Sequence, residues 1–129
     1  MCSHSNTKAL CDVPRNITDD QMRALAAKGG VCQVTIYNGF LRTDGKACID
    51  DAIRHLCHAV DIMGIDHVGL GTDFDGDGGV PGLANASELI NFTKALLRHK
   101  FSEEDMAKIW GGNWLRVMQA VQGSLCTKN

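Results

Sequence analysis

Hydrophobic positions along this 129-residue chain recur with two periods, and the places where one gives way to the other mark its elements. Met22, Leu25 and Ala26 share a face in a segment that opens on the capping box Thr18-Asp19-Asp20-Gln21 and closes on Lys28-Gly29-Gly30. That pattern predicts a helix over about 19–28. Val31-Cys32-Gln33-Val34-Thr35-Ile36-Tyr37 is nearly continuous apolar sequence rich in β-branched residues, as in a strand buried on both faces. Ile49, Ile53, Leu56, Val60 and Met63 return to helical spacing, Gly64 closes the segment, and His67-Val68-Gly69-Leu70-Gly71 is a short strand candidate. Leu89, Phe92 and Leu96 mark a third helix. Ser102-Glu103-Glu104-Asp105 opens a short fourth, and Trp114, Val117, Met118 and Val121 stripe the last. Strand, helix, strand is a βαβ unit, so the class is α/β with parallel strands.

Composition narrows the picture. With 44% hydrophobic and 22% charged residues the chain has an ordinary globular mixture, which excludes disordered and collagen-like classes. Two prolines and the lack of any repeat argue for one segment, 1–129. A complete eight-stranded β/α barrel needs at least about 200 residues, so only part of one fits here. Thirteen basic against fifteen acidic residues and no basic stripe exclude electrostatic capture of nucleic acid. No apolar run approaches the ~18 residues of a membrane span, and Met1-Cys2-Ser3-His4-Ser5-Asn6 lacks the pattern of an export signal. The six cysteines form no Cys-x-x-Cys pair and read as reduced thiols, which points to a reducing, cytoplasmic compartment. Cys32 and Cys57 suit buried, hydrophobe-like positions.

In parallel α/β folds chemistry collects past the carboxyl ends of the strands. His4, Tyr37-Asn38 and Thr72-Asp73-Phe74-Asp75-Gly76 occupy such places, and the topology sets all three on one rim. Asp73, Asp75, Asp77 and Gly78 match the first half of a calcium loop, but the twelfth position is Ala84 rather than glutamate. A solvated Gly/Asp turn explains Asp77 and the glycines. It explains Asp73 less well, because a carboxylate directly after a buried strand is held at the rim. The His4 imidazole suits zinc, although a lone histidine near a terminus is ordinarily a bystander. Arg15, after Pro14, can grip an anion with two donors, against the ordinary reading of a surface arginine. His55 and His58 flank an apolar stripe and read as packing or surface residues, while His67 and His99 carry no pattern.

In combination the motifs say more. Ser3-His4-Ser5-Asn6, Pro14-Arg15-Asn16-Ile17-Thr18-Asp19, Gly64-Ile65-Asp66-His67-Val68-Gly69-Leu70-Gly71-Thr72-Asp73-Phe74-Asp75-Gly76 and Gly112-Asn113-Trp114-Leu115-Arg116-Val117 occur in this order. The set resembles the carboxyl-terminal part of the membrane dipeptidase (renal dipeptidase) family of zinc peptidases, from about residue 3 to 121. The resemblance implies a partial β/α (TIM-type) barrel, about the last three of eight β/α units, and dipeptide hydrolysis by a hydroxide bridging two zinc ions. By the same resemblance His4 is a zinc ligand, Arg15 binds the substrate carboxylate or the developing oxyanion, and Asp73 handles a proton beside the attacking water. Asp75 belongs to the motif without an assigned role.

One departure is large. The family's other ligands, a His-x-Asp pair, a bridging glutamate and a further histidine, come from regions before the equivalent of residue 1, and no His-x-Asp occurs here. One imidazole cannot hold two zinc ions, since a catalytic zinc normally takes three protein ligands. The expectation is a dipeptidase fragment inactive by itself. The alternative is a non-catalytic α/β module or assembly subunit that binds a partner through exposed barrel edges. Either would expose strand edges and apolar surface, so self-association is expected.

Overall fold

The computed structural model describes residues 1–126. Helix α1 (Asp19–Ala27) starts at Thr18, whose hydroxyl accepts the Gln21 amide while the Gln21 side chain accepts the Thr18 amide. Strand β1 (Cys32–Val34) leads through Tyr37 into a single turn of helix, α2 (Asn38–Leu41). Helix α3 (Ile49–Met63) has the expected length, capped at Cys48 by the Asp51 carboxylate, and Gly64 ends it at φ 85°. That left-handed backbone favours glycine. Strand β2 (Val68–Leu70) lies parallel to β1, with Cys32 opposite Val68 and Val34 opposite Leu70. Helices α4 (Leu89–Arg98), α5 (Glu103–Ala107) and α6 (Asn113–Cys126) follow, α5 on the expected Ser102–Asp105 capping box. A kink at Gly111, where the backbone leaves helical angles, joins α5 to α6 through Lys108–Gly112. The result is a mixed α/β fold on a two-stranded parallel sheet.

The core lies on one face of the sheet. Cys32, Val34 and Val68 meet Ile53, Leu56 and Ala59 of α3, Phe92 and Leu96 of α4, and Met22 of α1. Gln33 is only half-buried on the opposite face, so β1 is enclosed on one face rather than two. Both strands are shorter than their apolar runs. Beyond Val34 the pairing thins to single bonds, Ile36 N–H to the Thr72 carbonyl (3.3 Å) and Gly79 N–H to the Ile36 carbonyl (2.9 Å). Before Val68, Ile65–His67 forms a 3₁₀ turn, and His67 Nδ1 sits 2.8 Å from the Gly30 carbonyl.

The Gly112–Val117 motif proves to be a staple at the amino-terminal ends of the strands. Buried Asn113 donates through Nδ2 to the carbonyls of Ile65 (2.7 Å) and Val68 (2.8 Å). Arg116 donates to the carbonyls of Gly29 (2.9 Å) and Asp66 (2.8 Å). The Asn113 bonds satisfy carbonyls beside the core, while the Arg116 bonds tie exposed loop backbone together. The apolar stripe of α6 goes elsewhere. Trp114, Val117, Met118 and Val121, with Met1 and Gln122, line a cleft of about 340 Å³, and Met1, Met118 and Val121 stay exposed.

Candidate functional site

The first residues of the chain add a third parallel run to the sheet. Cys2 pairs with Cys32: its amide donates to the Val31 carbonyl and its carbonyl accepts the Gln33 amide, both at 2.9 Å. In a regular ladder the His4 amide would bond next to the Gln33 carbonyl. The Ser5 amide does so instead, at 2.9 Å, so Ser3-His4 holds one residue more than the partner strand. Such a bulge re-aims the side chains at the end of a strand. Beyond it the Asn6 side chain replaces the backbone: Oδ1 accepts the Thr35 amide (3.0 Å) and Nδ2 donates to the Thr35 carbonyl (3.1 Å). The Ser3 hydroxyl lies 2.7 Å from His4 Nδ1, which engages one ring nitrogen and leaves Nε2 as the other. Next to it, Cys2 has its thiol pKa lowered to about 6, chiefly by the hydrogen bond with the Cys32 thiol, whose own pKa is raised by the same bond and by burial.

Arg15 reaches the same segment. Its Nη1 donates to the buried Ser5 hydroxyl (2.8 Å), and the guanidinium carbon stands 5.7 Å from the centre of the Phe40 ring. Neighbouring Asn16 is buried and donates to the carbonyls of Cys11 (2.9 Å) and Phe40 (2.8 Å), tying the Arg15 loop to α2.

Asp73 follows β2 by way of Gly71 and Thr72. Its backbone is left-handed at φ 62°, a conformation that aspartate adopts more readily than most non-glycine residues. The Asp73 carbonyl accepts the amides of Gly76 (2.9 Å) and Gly78 (2.8 Å). A Cβ on Gly76 would come 2.5 Å from Asp73 Oδ1, and one on Gly78 would strike the Thr72 and Asp73 carbonyls. These glycines therefore let the turn close on the aspartate. Asp75 and Asp77 are exposed, Asp77 also left-handed. Among the described residues no three His, Cys, Asp or Glu side chains gather as a metal site.

Ser5 joins His4 to Arg15. The Asp73 loop meets them through backbone alone, since the Ser3 carbonyl lies where a Cβ on Gly71 would stand. Among the described residues His4, Arg15 and Asp73 share no hydrogen bond or ion pair with one another. Ser5 and Asn6 stand in the Ser3–Asn6 motif, and their roles depend on pairings that only the fold supplies.

His55 is a further structural member of this rim. It is 2% exposed; Nδ1 accepts the Thr7 amide (3.2 Å), and Nε2 donates to the Leu41 carbonyl (3.1 Å). Only the neutral ring can do both. Burial lowers its pKa below the ordinary 6.5, opposed by the hydrogen bond to the Leu41 carbonyl and by Asp51, with Arg54 and His58 acting in the same direction as burial. A histidine depressed in the folded state stabilises fully above its unfolded pKa, and the contribution is lost as pH falls through the folded value. Denaturant midpoints should therefore fall as pH drops below 6.5, and His55→Gln should flatten that part of the profile. A wild-type midpoint unchanged below 6.5 would contradict the assignment.

The sequence matches the membrane dipeptidase (peptidase family M19) model over residues 1–127. The chain belongs to the membrane dipeptidase family. Relatives include the protein of the pqqA 5′ region of Klebsiella pneumoniae, 39% identical over 94% of this chain and 46% of its own. Human dipeptidase 3 is 33% identical over 93% of this chain and 25% of its own. A metallopeptidase from Rhodobacter sphaeroides, solved with a phosphinate mimic of the dipeptide L-Ala-D-Ala, superposes with a TM-score of 0.85 at 33% identity. That match covers 90% of this chain and 34% of the other. This dipeptidase-family chain thus spans less than half the length of these relatives. No helix among its described residues is long and apolar enough to cross a membrane.

Proposed function

We propose that this chain is the carboxyl-terminal part of a zinc dipeptidase barrel, about its last three β/α units, and that it supplies one sector of the active-site rim without completing it. The observation that carries the reading is the continuous junction from His4 through Ser5 to Arg15, with the Asp73 loop packed against Ser3 at the carboxyl ends of parallel strands.

His4 fits a metal in kind, as an imidazole anchored at Nδ1 by Ser3, but one imidazole falls short of the roughly three protein ligands a catalytic zinc takes. Zinc, when bound in a complete site, polarises a carbonyl and acidifies a water. His4 supplies one nitrogen toward that site. The Arg15 guanidinium, held by Ser5 and Phe40, offers paired donors to the free carboxylate of a dipeptide. Asp73, fixed by its turn, accepts a proton from the attacking water and returns it to the leaving amine.

The isolated chain is therefore inactive. Grafted in place of the matching third of a related full-length dipeptidase, it should restore dipeptide hydrolysis, and an inert but folded graft would contradict the proposal. The free cysteines Cys2, Cys11, Cys32, Cys48 and Cys57 support a reducing, cytoplasmic setting. The exposed α6 stripe beside Met1 supports self-association. A partner-binding, non-catalytic module would instead use the exposed barrel edges.

A further inference from the structure

We infer that Ser5 is a positioning residue whose buried hydroxyl, with the face of Phe40, holds the Arg15 guanidinium in one orientation for a carboxylate. The inference rests on the reading of Arg15 as the carboxylate anchor.

Arg15 is exposed, and an exposed arginine ordinarily samples many rotamers that binding would have to restrict. Here the restriction is built in. The Ser5 backbone is fixed by its amide bond to the Gln33 carbonyl (2.9 Å), and the side chain is 1% exposed, so Oγ is a stationary acceptor for Nη1 at 2.8 Å. Phe40 supports the guanidinium face at 5.7 Å and is itself held by the Tyr37 ring, 4.5 Å away between centroids. Asn16 fixes the backbone next to Arg15 through the Phe40 and Cys11 carbonyls. Ser5 takes one of five N–H donors, which leaves enough to meet both oxygens of a carboxylate. Because Ser5 directly follows His4, the same residue sets how far the anion grip stands from the imidazole.

The isolated chain suffices as the test. Its Arg15 Nε–H order parameter is measured by ¹⁵N relaxation, with and without N-acetylglycine as a free-carboxylate probe. Wild-type Arg15 should be ordered, and Ser5→Ala should drop it below the roughly 0.6 that marks a flexible group. Probe affinity should weaken on the order of tenfold, the scale of one hydrogen bond to a charged group. Amide shifts of β1 and β2 should stay in place, showing that the fold survives. Phe40→Leu, which keeps the Ser5 bond, should loosen Arg15 less. An Arg15 as rigid in Ser5→Ala as in wild type overturns the inference. If Ser5→Ala frees Arg15 but the probe never perturbs it, the positioning role stands and the carboxylate reading fails.

Discussion

Gly71→Ala is expected to destabilise the chain by about 3 kcal/mol or more, at or beyond the upper end for overpacking. A Cβ there would overlap the Ser3 carbonyl oxygen and approach Gln33 Cβ to 3.0 Å. A flexible side chain could turn away. The Ser3 carbonyl belongs to a backbone held on both sides, at Cys2 by Val31 and Gln33 and at Ser5 by Gln33, so relief requires lifting the segment off β1. Gly71 is not in the left-handed region, so the penalty is steric rather than conformational. Urea denaturation of wild type and variant measures it, with Gly123→Ala as the comparison. Gly123 lies in α6 with nothing within 4 Å of its Cβ position, and alanine there should stabilise by up to about 1 kcal/mol. The Gly71 variant should also disturb the resonances of His4. A loss below about 1 kcal/mol with His4 unmoved would show that Ser3 is not confined against β2.

Asp73→Asn, in the grafted full-length dipeptidase, is expected to lower kcat/KM by about 10²–10⁴-fold, the usual contribution of a positioned acid–base group. Asparagine is nearly isosteric and tolerates the left-handed conformation that Asp73 adopts at φ 62°. The turn should therefore persist, with the Gly76 and Gly78 amides still donating to the residue 73 carbonyl. An unchanged melting temperature with lost turnover separates proton handling from structure. Asp75→Asn, at an exposed position, should leave turnover near that of the unsubstituted graft. Equal losses at both positions would point to the loop as a whole instead of the Asp73 carboxylate.

Helices α1, α3 and α5 were legible in the sequence because their signals are local, whereas the single turn α2 carried none. Thr18 and Gln21, Ser102 and Asp105, and the stripe ending at Gly64 each lie within a few residues of what they control. The strands were legible as parallel runs but not in length, because their ends depend on distant partners. Past Val34 the Asn6 side chain, twenty-nine residues away from Thr35, takes over the pairing. The bulge at Ser3-His4 has no sequence signature, and neither does the bond from Arg15 to Ser5. The stripe of Trp114, Val117, Met118 and Val121 was readable as one face of a helix. Periodicity reports that such a face exists and says nothing about what covers it, and here it remains open along a cleft. Of the rim, the motifs marked His4, Arg15 and Asp73. The fold adds the linking residues, Ser5 between the first two and the Ser3–Gly71 contact toward the third.

The most direct test combines zinc content with turnover in the isolated chain. Elemental analysis after incubation with zinc, together with dipeptide hydrolysis by the same sample, should show no stoichiometric pair of ions and no turnover, because one anchored imidazole stands where about three ligands per catalytic zinc are needed. About two equivalents of tightly held zinc, with hydrolysis abolished by Asp73→Asn, would mean that this chain builds a complete two-metal site by itself, and would contradict its assignment as one sector of a larger rim.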